Sequence, residues 1–254
     1  MRNRLSNATL NQLPKSVLRP TYDRAKVTPG ILHFGVGAFH RSHQALTIDR
    51  LLEKGLANDW GIVGVGLLAN DFKMRDALIP QDCLYTLITK HADGKQDFQV
   101  IGSIIDYLFA PDSPAKVIEK LIDPAIRIVS LTITEGGYSF DRATGEFDPN
   151  TPGVKEDVND STKPVSAFGF IYEGLKKRKA LGIPAFTVQS CDNIQGNGDV
   201  AKKMMVAFAK IKDPEFATWM VGRRAVVRLP EGYGSRQKTR PSRATGATSG
   251  LSEG

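Results

Sequence analysis

The stretch ILHFGVGAFHRSH, residues 31–43, decides the fold. It begins as an apolar run, passes through Gly35 and Gly37, and continues into a segment with helical periodicity. The apolar positions of that segment are Ala45, Ile48 and Leu52. This pattern predicts a strand, a glycine turn and a helix.

Four further apolar runs are continuous rather than alternating, which is typical of strands covered on both faces of a sheet. They are residues 60–68, 103–109, 126–133 and 185–190. Helical patterns separate them, and one begins at Ser113 and Pro114, a predicted cap and first-turn residue. Strands that alternate with helices predict a Rossmann-type, doubly wound, mostly parallel α/β sheet.

Two segments interrupt this alternation. CLYTLITK (83–90) and FQVIG (98–102) flank a turn signal at Asp93 and Gly94, which predicts a hairpin inserted at the sheet edge. Residues 140–164 are rich in Asp, Pro, Thr and Asn and are predicted to be a surface loop. The helix that follows has a predicted apolar face made of Val165, Phe168, Tyr172 and Leu175.

Composition places the chain among ordinary globular proteins. Its 254 residues are 41% hydrophobic and 24% charged, which excludes collagen-like, wholly disordered and disulfide-stapled chains. Cys83 and Cys191 lie far apart in apolar or mixed segments, as is typical of reduced, partly buried thiols. No segment has the pattern of a signal peptide or a membrane span, so we expect a cytoplasmic protein without a membrane partner.

Most of the net charge lies near the C-terminus. Residues 221–254 contain six Arg, one Lys and two Glu, which accounts for five of the seven net positive charges. The segment is rich in Ser, Thr, Gly and Arg without a sustained period, which predicts a disordered tail. Basic tails also occur in nucleic-acid binders, but no recognition module accompanies this one, so we expect no nucleic-acid partner.

The glycine turn is a candidate phosphate site. In dinucleotide folds the first strand ends in a tight turn whose backbone approaches a pyrophosphate, and the next helix presents free N–H groups. Here the spacing is G-x-G-x-x-H, with His40 in place of the third glycine, and Arg41 adds a fixed positive charge. Glycines required only for packing of helix against strand are the alternative.

Asp71 follows the second predicted strand. At this place an acidic side chain accepts the ribose hydroxyls of NAD and repels the extra phosphate of NADP. The same residue is equally suited to cap the helix FKMRDAL.

Three histidines, His33, His40 and His43, lie close together in the sequence. No Cys or Glu stands beside them at a zinc-ligand spacing, so we expect no metal site. Packing and phosphate contact explain these residues more simply.

Five longer motifs carry a family resemblance. They are GVGAFHRSHQA (35–45), WGIVGVGL (60–67), MRDALIPQDCLYTLI (74–88), VSLTITEGGY (129–138) and FTVQSCDNIQGNG (186–198). In these motifs the chain resembles the polyol-specific long-chain dehydrogenases, most closely the mannitol-oxidising members. The resemblance implies a metal-independent oxidoreductase that uses NAD to interconvert D-mannitol and D-fructose. Relatives that act on arabinitol or fructuronate share much of the pattern.

The resemblance also implies site roles. Asn193, in SCDN, is expected to be the catalytic carboxamide that holds the substrate oxygen, with a helix N-cap as the alternative role. Asp71 is the expected ribose contact, and Thr134 and Glu135 are expected to line the nicotinamide end. The residues expected to border the cofactor around the turn are Ile31, Leu32, His33, Phe34, Gly35, Val36, Gly37, Ala38, Phe39, His40, Arg41 and Ser42.

The resemblance covers about residues 28–220, the expected NAD-binding domain, between an N-terminal extension, 1–27, and the basic tail, 221–254. The family's general base is a lysine in the pattern Lys-x4-Asn-x2-His, within a C-terminal helical domain. That pattern is absent here, since no histidine follows His91 and no asparagine follows Asn197. We therefore expect a truncated member, monomeric, that binds NAD but turns over polyol or keto-sugar negligibly. A non-catalytic nucleotide-binding module is the alternative.

Overall fold

A computed structural model describes residues 4–141, 143–160 and 162–222. These ranges contain eight strands: β1 (Val17–Leu18), β2 (Pro29–Phe34), β3 (Gly61–Gly66), β4 (Tyr85–Lys90), β5 (Gln96–Ile101), β6 (Ile104–Phe109), β7 (Ile128–Leu131) and β8 (Thr187–Ser190). They also contain eight α-helices: α1 (Ala38–Ser42), α2 (Gln44–Glu53), α3 (Phe72–Leu78), α4 (Pro114–Ile122), α5 (Val154–Asn159), α6 (Ala167–Leu181), α7 (Asn197–Lys212) and α8 (Pro214–Gly222).

Five strands form the main sheet in the order β6-β3-β2-β7-β8. Every neighbouring pair in this sheet is parallel. The first of these strands in the chain, β2, therefore lies in the middle. The chain adds β3 and β6 on one side of it and then β7 and β8 on the other, so the strand order reverses between β2 and β7. Helices connect successive strands across the sheet, so the predicted Rossmann-type, doubly wound α/β fold is confirmed.

Both faces of the main sheet are covered by helices. Leu32 and Phe34 of β2 belong to the core that includes α4, α6 and α7. Ile31 and Ile62 belong to a second core that includes α2 and α3, because alternate residues of a strand point to opposite faces. All four side chains are at most 3% exposed. Since neither face meets water, the strands are continuously apolar in sequence.

The predicted hairpin is confirmed, but its predicted place at the edge of the main sheet is wrong. β4 and β5 pair antiparallel, with the turn at Asp93 and Gly94. β5 pairs on its other side with β1, and the three strands make a separate sheet in the order β1-β5-β4. The strand β1 occupies the edge of β5 that would otherwise be free, so the hairpin belongs to this small sheet.

The segment predicted as an N-terminal extension packs against the body of the protein. Besides β1, it supplies Arg24, whose Nε donates to the carbonyl of Gly102 over 2.9 Å. An Nη of the same guanidinium donates to the carbonyl of Ile104 over 3.0 Å. These bonds fix the corner where the chain passes from β5 into β6.

The segment 140–164, predicted as a surface loop, contains the helix α5. Asp157 of this helix is 1% exposed. Its carboxylate accepts hydrogen bonds from the N–H groups of Val165, at 2.8 Å, and Ser166, at 2.9 Å. The loop prediction is therefore wrong over this helix. Asp157 can be buried there because its carboxylate satisfies backbone donors.

The start of α6 also differs from the prediction. Ser166 is the N-cap residue, and its Oγ accepts a hydrogen bond from the Gly169 N–H at 3.0 Å. Val165 therefore precedes the helix and is 47% exposed, so its predicted place in the apolar face is wrong. The other three members of that face, Phe168, Tyr172 and Leu175, are buried as predicted.

Three remaining predictions concern the whole chain. Both cysteines are free, with Cys83 buried and Cys191 half-buried. No helix in the described ranges is both long and apolar enough to cross a membrane. The predicted disordered tail, 221–254, lies outside the described residues from position 223 onward, while Val221 and Gly222 complete α8.

Candidate functional site

The carboxyl ends of β2 and β7 lie side by side where the strand order reverses. In doubly wound sheets the crevice at this switch point is the usual place for a ligand. The turn that follows β2 is tied to both neighbouring strands. The Gly35 N–H donates to the Val65 carbonyl at 3.1 Å, and the Thr132 hydroxyl donates to the Gly35 carbonyl at 2.6 Å.

The two glycines of this turn are required for different reasons. Gly35 has φ +93°, and a Cβ there would lie 2.2 Å from the Thr132 carbonyl oxygen, so the fold itself requires glycine. Gly37 has φ −83° and ψ −176°, a conformation open to any residue. A Cβ on Gly37 would meet nothing closer than the Gly35 carbonyl oxygen, at 3.9 Å. The main chain at Gly37 therefore borders open space.

The helix after the turn is shorter than predicted. α1 spans Ala38–Ser42, and the chain changes direction at His43, with φ −122° and ψ −77°, before α2 begins. The Ser42 hydroxyl donates back to the Ala38 carbonyl over 2.9 Å, a side-chain bond that bends helices. The first-turn N–H groups of Ala38, Phe39 and His40 have no acceptor within the helix, so the turn keeps a group of backbone donors.

Arg41 braces the turn with part of its guanidinium. One Nη donates to the Val36 carbonyl at 2.9 Å and lies 3.4 Å from the Met74 sulfur. The Tyr85 hydroxyl in turn donates to the Arg41 carbonyl at 2.6 Å. The positive charge predicted from the sequence is thus held beside the glycine turn.

The predicted cofactor-bordering residues divide by exposure. The side chains of six are buried: Ile31, Leu32, His33, Phe34, Val36 and His40. Gly37, Ala38 and Phe39 are exposed, and Gly35, Arg41 and Ser42 are partly exposed. The exposed and partly exposed members form the surface of the turn, while the buried ones support it from inside.

His33 and His40 support the turn as a stacked pair. Their ring centroids are 3.5 Å apart and the rings are nearly parallel. His33 contacts the hydroxyls of Ser130, at 2.7 Å, and Thr132, at 2.9 Å. His40 Nδ1 donates to the Gln44 carboxamide oxygen at 3.0 Å, which leaves Nε2 as its unprotonated nitrogen. In the described part of the chain, no group of three His, Cys, Asp or Glu is placed to hold a metal ion.

Burial keeps this pair neutral. Burial and the neighbouring His40 lower the pKa of His33 well below its usual value of 6.5. Burial also lowers the pKa of His40, to about 3, and the Arg41 charge adds to this effect. Two uncharged, stacked imidazoles therefore lie directly beneath the turn.

We expect the folded protein to lose stability as the pH falls below about 6.5. In the unfolded chain both histidines bind protons as the pH falls through this range, whereas in the folded protein His40 does not do so until about pH 3. Each histidine therefore lowers the free energy of unfolding by about 1.4 kcal/mol per pH unit. His40→Gln is expected to reduce the loss between pH 7 and pH 5 by about 2 kcal/mol. Urea unfolding at both pH values measures this, with His91→Gln on the exposed hairpin as the control. An equal loss in wild type and His40→Gln would contradict the prediction.

Asp71 lies five residues beyond the end of β3, the neighbour of β2, as the last residue of a short 3-10 turn, Ala69–Asp71. Its Oδ2 accepts a hydrogen bond from the Leu68 N–H at 2.9 Å. Asp71 is the N-cap residue of α3, as the alternative role predicted, but its side chain makes no capping hydrogen bond to that helix. Gly66 makes room for it, because a Cβ there would lie 2.8 Å from the Asp71 Cβ. A partly exposed carboxylate thus stands at the end of β3.

Thr134 and Glu135 lie in the loop after β7, and Asn193 lies in the loop after β8. These strands pair in parallel, so both loops emerge at the same edge of the sheet. Asn193 is exposed and precedes the N-cap residue of α7, Gly196, by three positions. The alternative role of Asn193 as a helix N-cap is therefore wrong.

Asp192 connects these two loops, and it is not among the site residues predicted from the sequence. Its Oδ1 accepts from the Thr134 N–H at 2.9 Å and its Oδ2 from the Ile133 N–H at 3.1 Å. Thr134 has φ +62° and ψ +171°, a conformation that costs a residue with a side chain about 1–3 kcal/mol. An acidic residue two positions after a predicted strand is the signal that could have drawn attention to it.

Comparison with known proteins agrees with the fold. A family model described as the Rossmann domain of mannitol dehydrogenase matches residues 29–226. The chain is 46% identical over 218 residues to the polyol:NADP oxidoreductase of Gluconobacter oxydans, covering 85% of this chain and 44% of that protein. It is 44% identical over 224 residues to the mannitol 2-dehydrogenase of Cereibacter sphaeroides, covering 88% and 46%.

Two solved structures are also similar. The ternary complex of Pseudomonas fluorescens mannitol 2-dehydrogenase with NAD and D-mannitol has a TM-score of 0.84 and 46% identity, covering 87% of this chain and 45% of that chain. A substrate-free D-sorbitol dehydrogenase has a TM-score of 0.81 and 45% identity, covering 86% and 45%. The chain therefore spans less than half the length of these relatives.

Proposed function

The chain belongs to the mannitol dehydrogenase family, and from this membership we propose that it binds NAD and contributes the coenzyme half of a polyol dehydrogenase site. The proposed NAD-binding domain covers residues 28–220, with 1–27 as an N-terminal extension and 221–254 as a tail. The similar enzyme from Pseudomonas fluorescens was solved with NAD and D-mannitol, which supports NAD as the coenzyme and a polyol as the substrate class.

The observation that carries this proposal is the open approach to Gly37. Its backbone conformation suits any residue, and apart from its chain neighbours the nearest described atom to a Cβ there would be the Gly35 carbonyl oxygen, at 3.9 Å, so no contact among the described residues explains a glycine. A pyrophosphate that lies against the main chain does explain it, because a side chain would occupy the same space. The first-turn N–H groups of α1 and the Arg41 guanidinium supply donors and positive charge at this place.

The remaining proposed roles follow the edge of the sheet. The Asp71 carboxylate binds the adenosine ribose, and Thr134 and Glu135 line the nicotinamide end of the crevice. Asn193, on the adjacent loop, donates its carboxamide N–H to the substrate oxygen. Bound NAD supplies the hydride acceptor for a secondary alcohol. An uncharged donor aimed at the oxygen stabilises the negative charge that develops there as its proton leaves.

The proposed substrate pair is D-mannitol and D-fructose, and the proposed location is cytoplasmic. The chain's 254 residues contain no Lys-x4-Asn-x2-His pattern, in which the family resemblance places the general base. Proton removal therefore has no assigned residue among those described. We propose for this chain the binding of NAD and the placement of Asn193 at the substrate oxygen.

The experiment that tests this function is a titration of the purified chain with NADH and NADPH by calorimetry. We expect one NADH site and a clear preference over NADPH, because the Asp71 carboxylate repels the extra phosphate. Asp71→Asn is expected to raise the affinity for NADPH about tenfold, which is about 1.4 kcal/mol, while an amide oxygen still accepts the Leu68 N–H.

The control for this experiment is Asp76→Asn. It makes the same change of charge at an exposed position of α3, five residues along the chain. This variant is expected to leave the ratio of the two affinities unchanged. Absence of NADH binding by the wild-type chain would overturn the proposed function, and an unchanged ratio in Asp71→Asn would overturn the role of Asp71.

A further inference from the structure

The Asp192 carboxylate makes three hydrogen bonds that join two loops. It lies two residues beyond the end of β8 and accepts from the backbone N–H groups of Ile133 and Thr134 in the loop after β7. Its third donor is the Tyr138 hydroxyl, at 2.7 Å from Oδ2. Backbone pairing between β7 and β8 ends at Leu131 and Ser190, so Asp192 continues the connection where the sheet stops.

The end of this arrangement at Tyr138 and Asn197 is held by further hydrogen bonds. Tyr138 is fully buried, and its hydroxyl also lies 2.6 Å from the Ser190 Oγ. Asn197, the first residue of α7, donates its side-chain N–H to the carbonyl of Asp192 at 3.0 Å. Both the side chain and the main chain of Asp192 are therefore held, and Asn193 follows directly from this fixed point.

At the other end of this arrangement, Thr134 is exposed and its backbone is strained. Thr134 is exposed, so packing does not hold it in its left-handed φ of +62°. The two N–H groups bound by Asp192 are those of Ile133 and Thr134 itself. Strained residues persist only where their surroundings hold them, and here the two hydrogen bonds to a carboxylate do so.

We propose that Asp192 is a positioning residue, which holds the Thr134 loop, and with it the nicotinamide end of the coenzyme site, against the loop that carries Asn193. This inference rests on the proposed function, because it requires that NAD binds with its nicotinamide beside Thr134. Asp192 itself acts through the backbone of Ile133 and Thr134. Loosening the loop should weaken contacts with the nicotinamide but leave those with the adenosine and pyrophosphate.

Two ligands separate these contacts. ADP-ribose carries the adenosine, the pyrophosphate and a ribose but lacks the nicotinamide, whereas NADH carries all of them. Asp192→Asn replaces one acceptor oxygen by an N–H donor that opposes a backbone donor, so we expect NADH to bind about tenfold more weakly. The Kd of ADP-ribose is expected to stay within about twofold of wild type. The fluorescence emission of bound NADH should shift towards that of free NADH.

A double-mutant cycle with Thr134→Gly tests the strain directly. Glycine adopts a positive φ at little cost, so the loop keeps its shape with less help from Asp192. Asp192→Asn is expected to weaken NADH binding about tenfold in the wild-type background and less than about threefold in the Thr134→Gly background. A residue that merely supported the fold would show the same loss in both backgrounds.

The controls keep the outcome decisive. Asp93→Asn makes the same substitution at a hairpin carboxylate that accepts one backbone N–H, from Lys95 at 3.0 Å, and is expected to change neither ligand's affinity. If Asp192→Asn does not fold, Tyr138→Phe takes its place in the experiment. This variant removes one of the three bonds at nearly constant volume and is expected to weaken NADH binding about threefold.

The results that would overturn each claim are distinct. Folded Asp192→Asn, or Tyr138→Phe in its place, with wild-type NADH affinity and emission would overturn the positioning role alone. Equal weakening of NADH and ADP-ribose would overturn it as well, because the loss would not be confined to the nicotinamide. A wild-type chain that binds neither ligand would overturn the proposed function and this inference with it.

Discussion

Replacing Arg178 with alanine is expected to lower the free energy of unfolding by about 4 kcal/mol or more. Arg178 lies on α6, is 2% exposed, and has no carboxylate partner among the described residues. Its Nε donates to the carbonyl of Leu121 and its two Nη atoms to those of Pro184 and Ile126, each at 2.7 Å. A second bond from Nη2 reaches the carbonyl of Asp123.

The size of this effect follows from what the substitution would leave behind. The four carbonyls lie at the end of α4 and beside the starts of β7 and β8, and each would lose its donor. The bonds to Leu121 and Ile126 are buried, so at least these two carbonyls would have no donor in place of Arg178. Each buried, unsatisfied polar group costs about 1–3 kcal/mol, although local relaxation recovers part of the sum. Because a domain of this size is stable by about 5–15 kcal/mol in total, the variant is expected to be largely unfolded at 37 °C or not to accumulate.

Urea unfolding followed by circular dichroism measures this prediction. Arg178→Lys keeps the charge but not the planar fork, so it is expected to lose about half as much stability as Arg178→Ala. Lys177→Ala, at an exposed neighbour on the same helix, is the control and is expected to change stability by less than about 0.5 kcal/mol. An Arg178→Ala protein with wild-type stability would show that the carbonyls have other donors.

The role of Arg178 could not be predicted from its surroundings in the sequence. It stands in the run KKRK, residues 176–179, where the other three side chains are exposed. Its acceptors lie 52 to 57 residues earlier, apart from Pro184, which is six residues later. A helical period predicts which face of α6 is buried but does not reveal which backbone carbonyls that face will meet.

The main sheet, in contrast, was predictable because its cause is local. Strands covered on both faces must be continuously apolar, and the run 60–68 contains β3, Gly61–Gly66, with all six residues buried. The hairpin was predictable for the same reason, because its turn residues, Asp93 and Gly94, are a local signal. Its partner strand β1 was not, since two residues, Val17 and Leu18, carry no periodic pattern.

The candidate site shows the same division between local and distant causes. The glycine turn after β2 is a local feature, and its position follows from the strand that precedes it. The bond between Asp192 and Thr134 joins residues 58 positions apart, and the strain at Thr134 exists only in the folded chain. Sequence patterns therefore located the loops of the site, while the contact that holds them together required the structure.

Gly37→Val is expected to weaken NADH binding at least about 100-fold while leaving the fold intact, a loss of about 2.7 kcal/mol in binding. The valine side chain would extend into the open space beside the turn, where, apart from the chain neighbours, no described atom lies within 3.9 Å of the new Cβ. No contact with the described residues resists this substitution, so the unfolding free energy should change by less than about 1 kcal/mol. The proposed pyrophosphate, however, needs that space to reach the backbone donors.

Gly35→Ala and Gly222→Val make the comparison specific. At Gly35 a Cβ would lie 2.2 Å from the Thr132 carbonyl oxygen with φ at +93°, so that variant should lose stability as well as binding. Gly222 lies at the end of α8, and among the described residues outside its own helix no atom lies within 4 Å of a Cβ there, so valine should change neither property. Calorimetric titration with NADH and urea unfolding of all three variants separate the two effects. Wild-type NADH affinity in Gly37→Val would mean that the coenzyme does not lie against this turn.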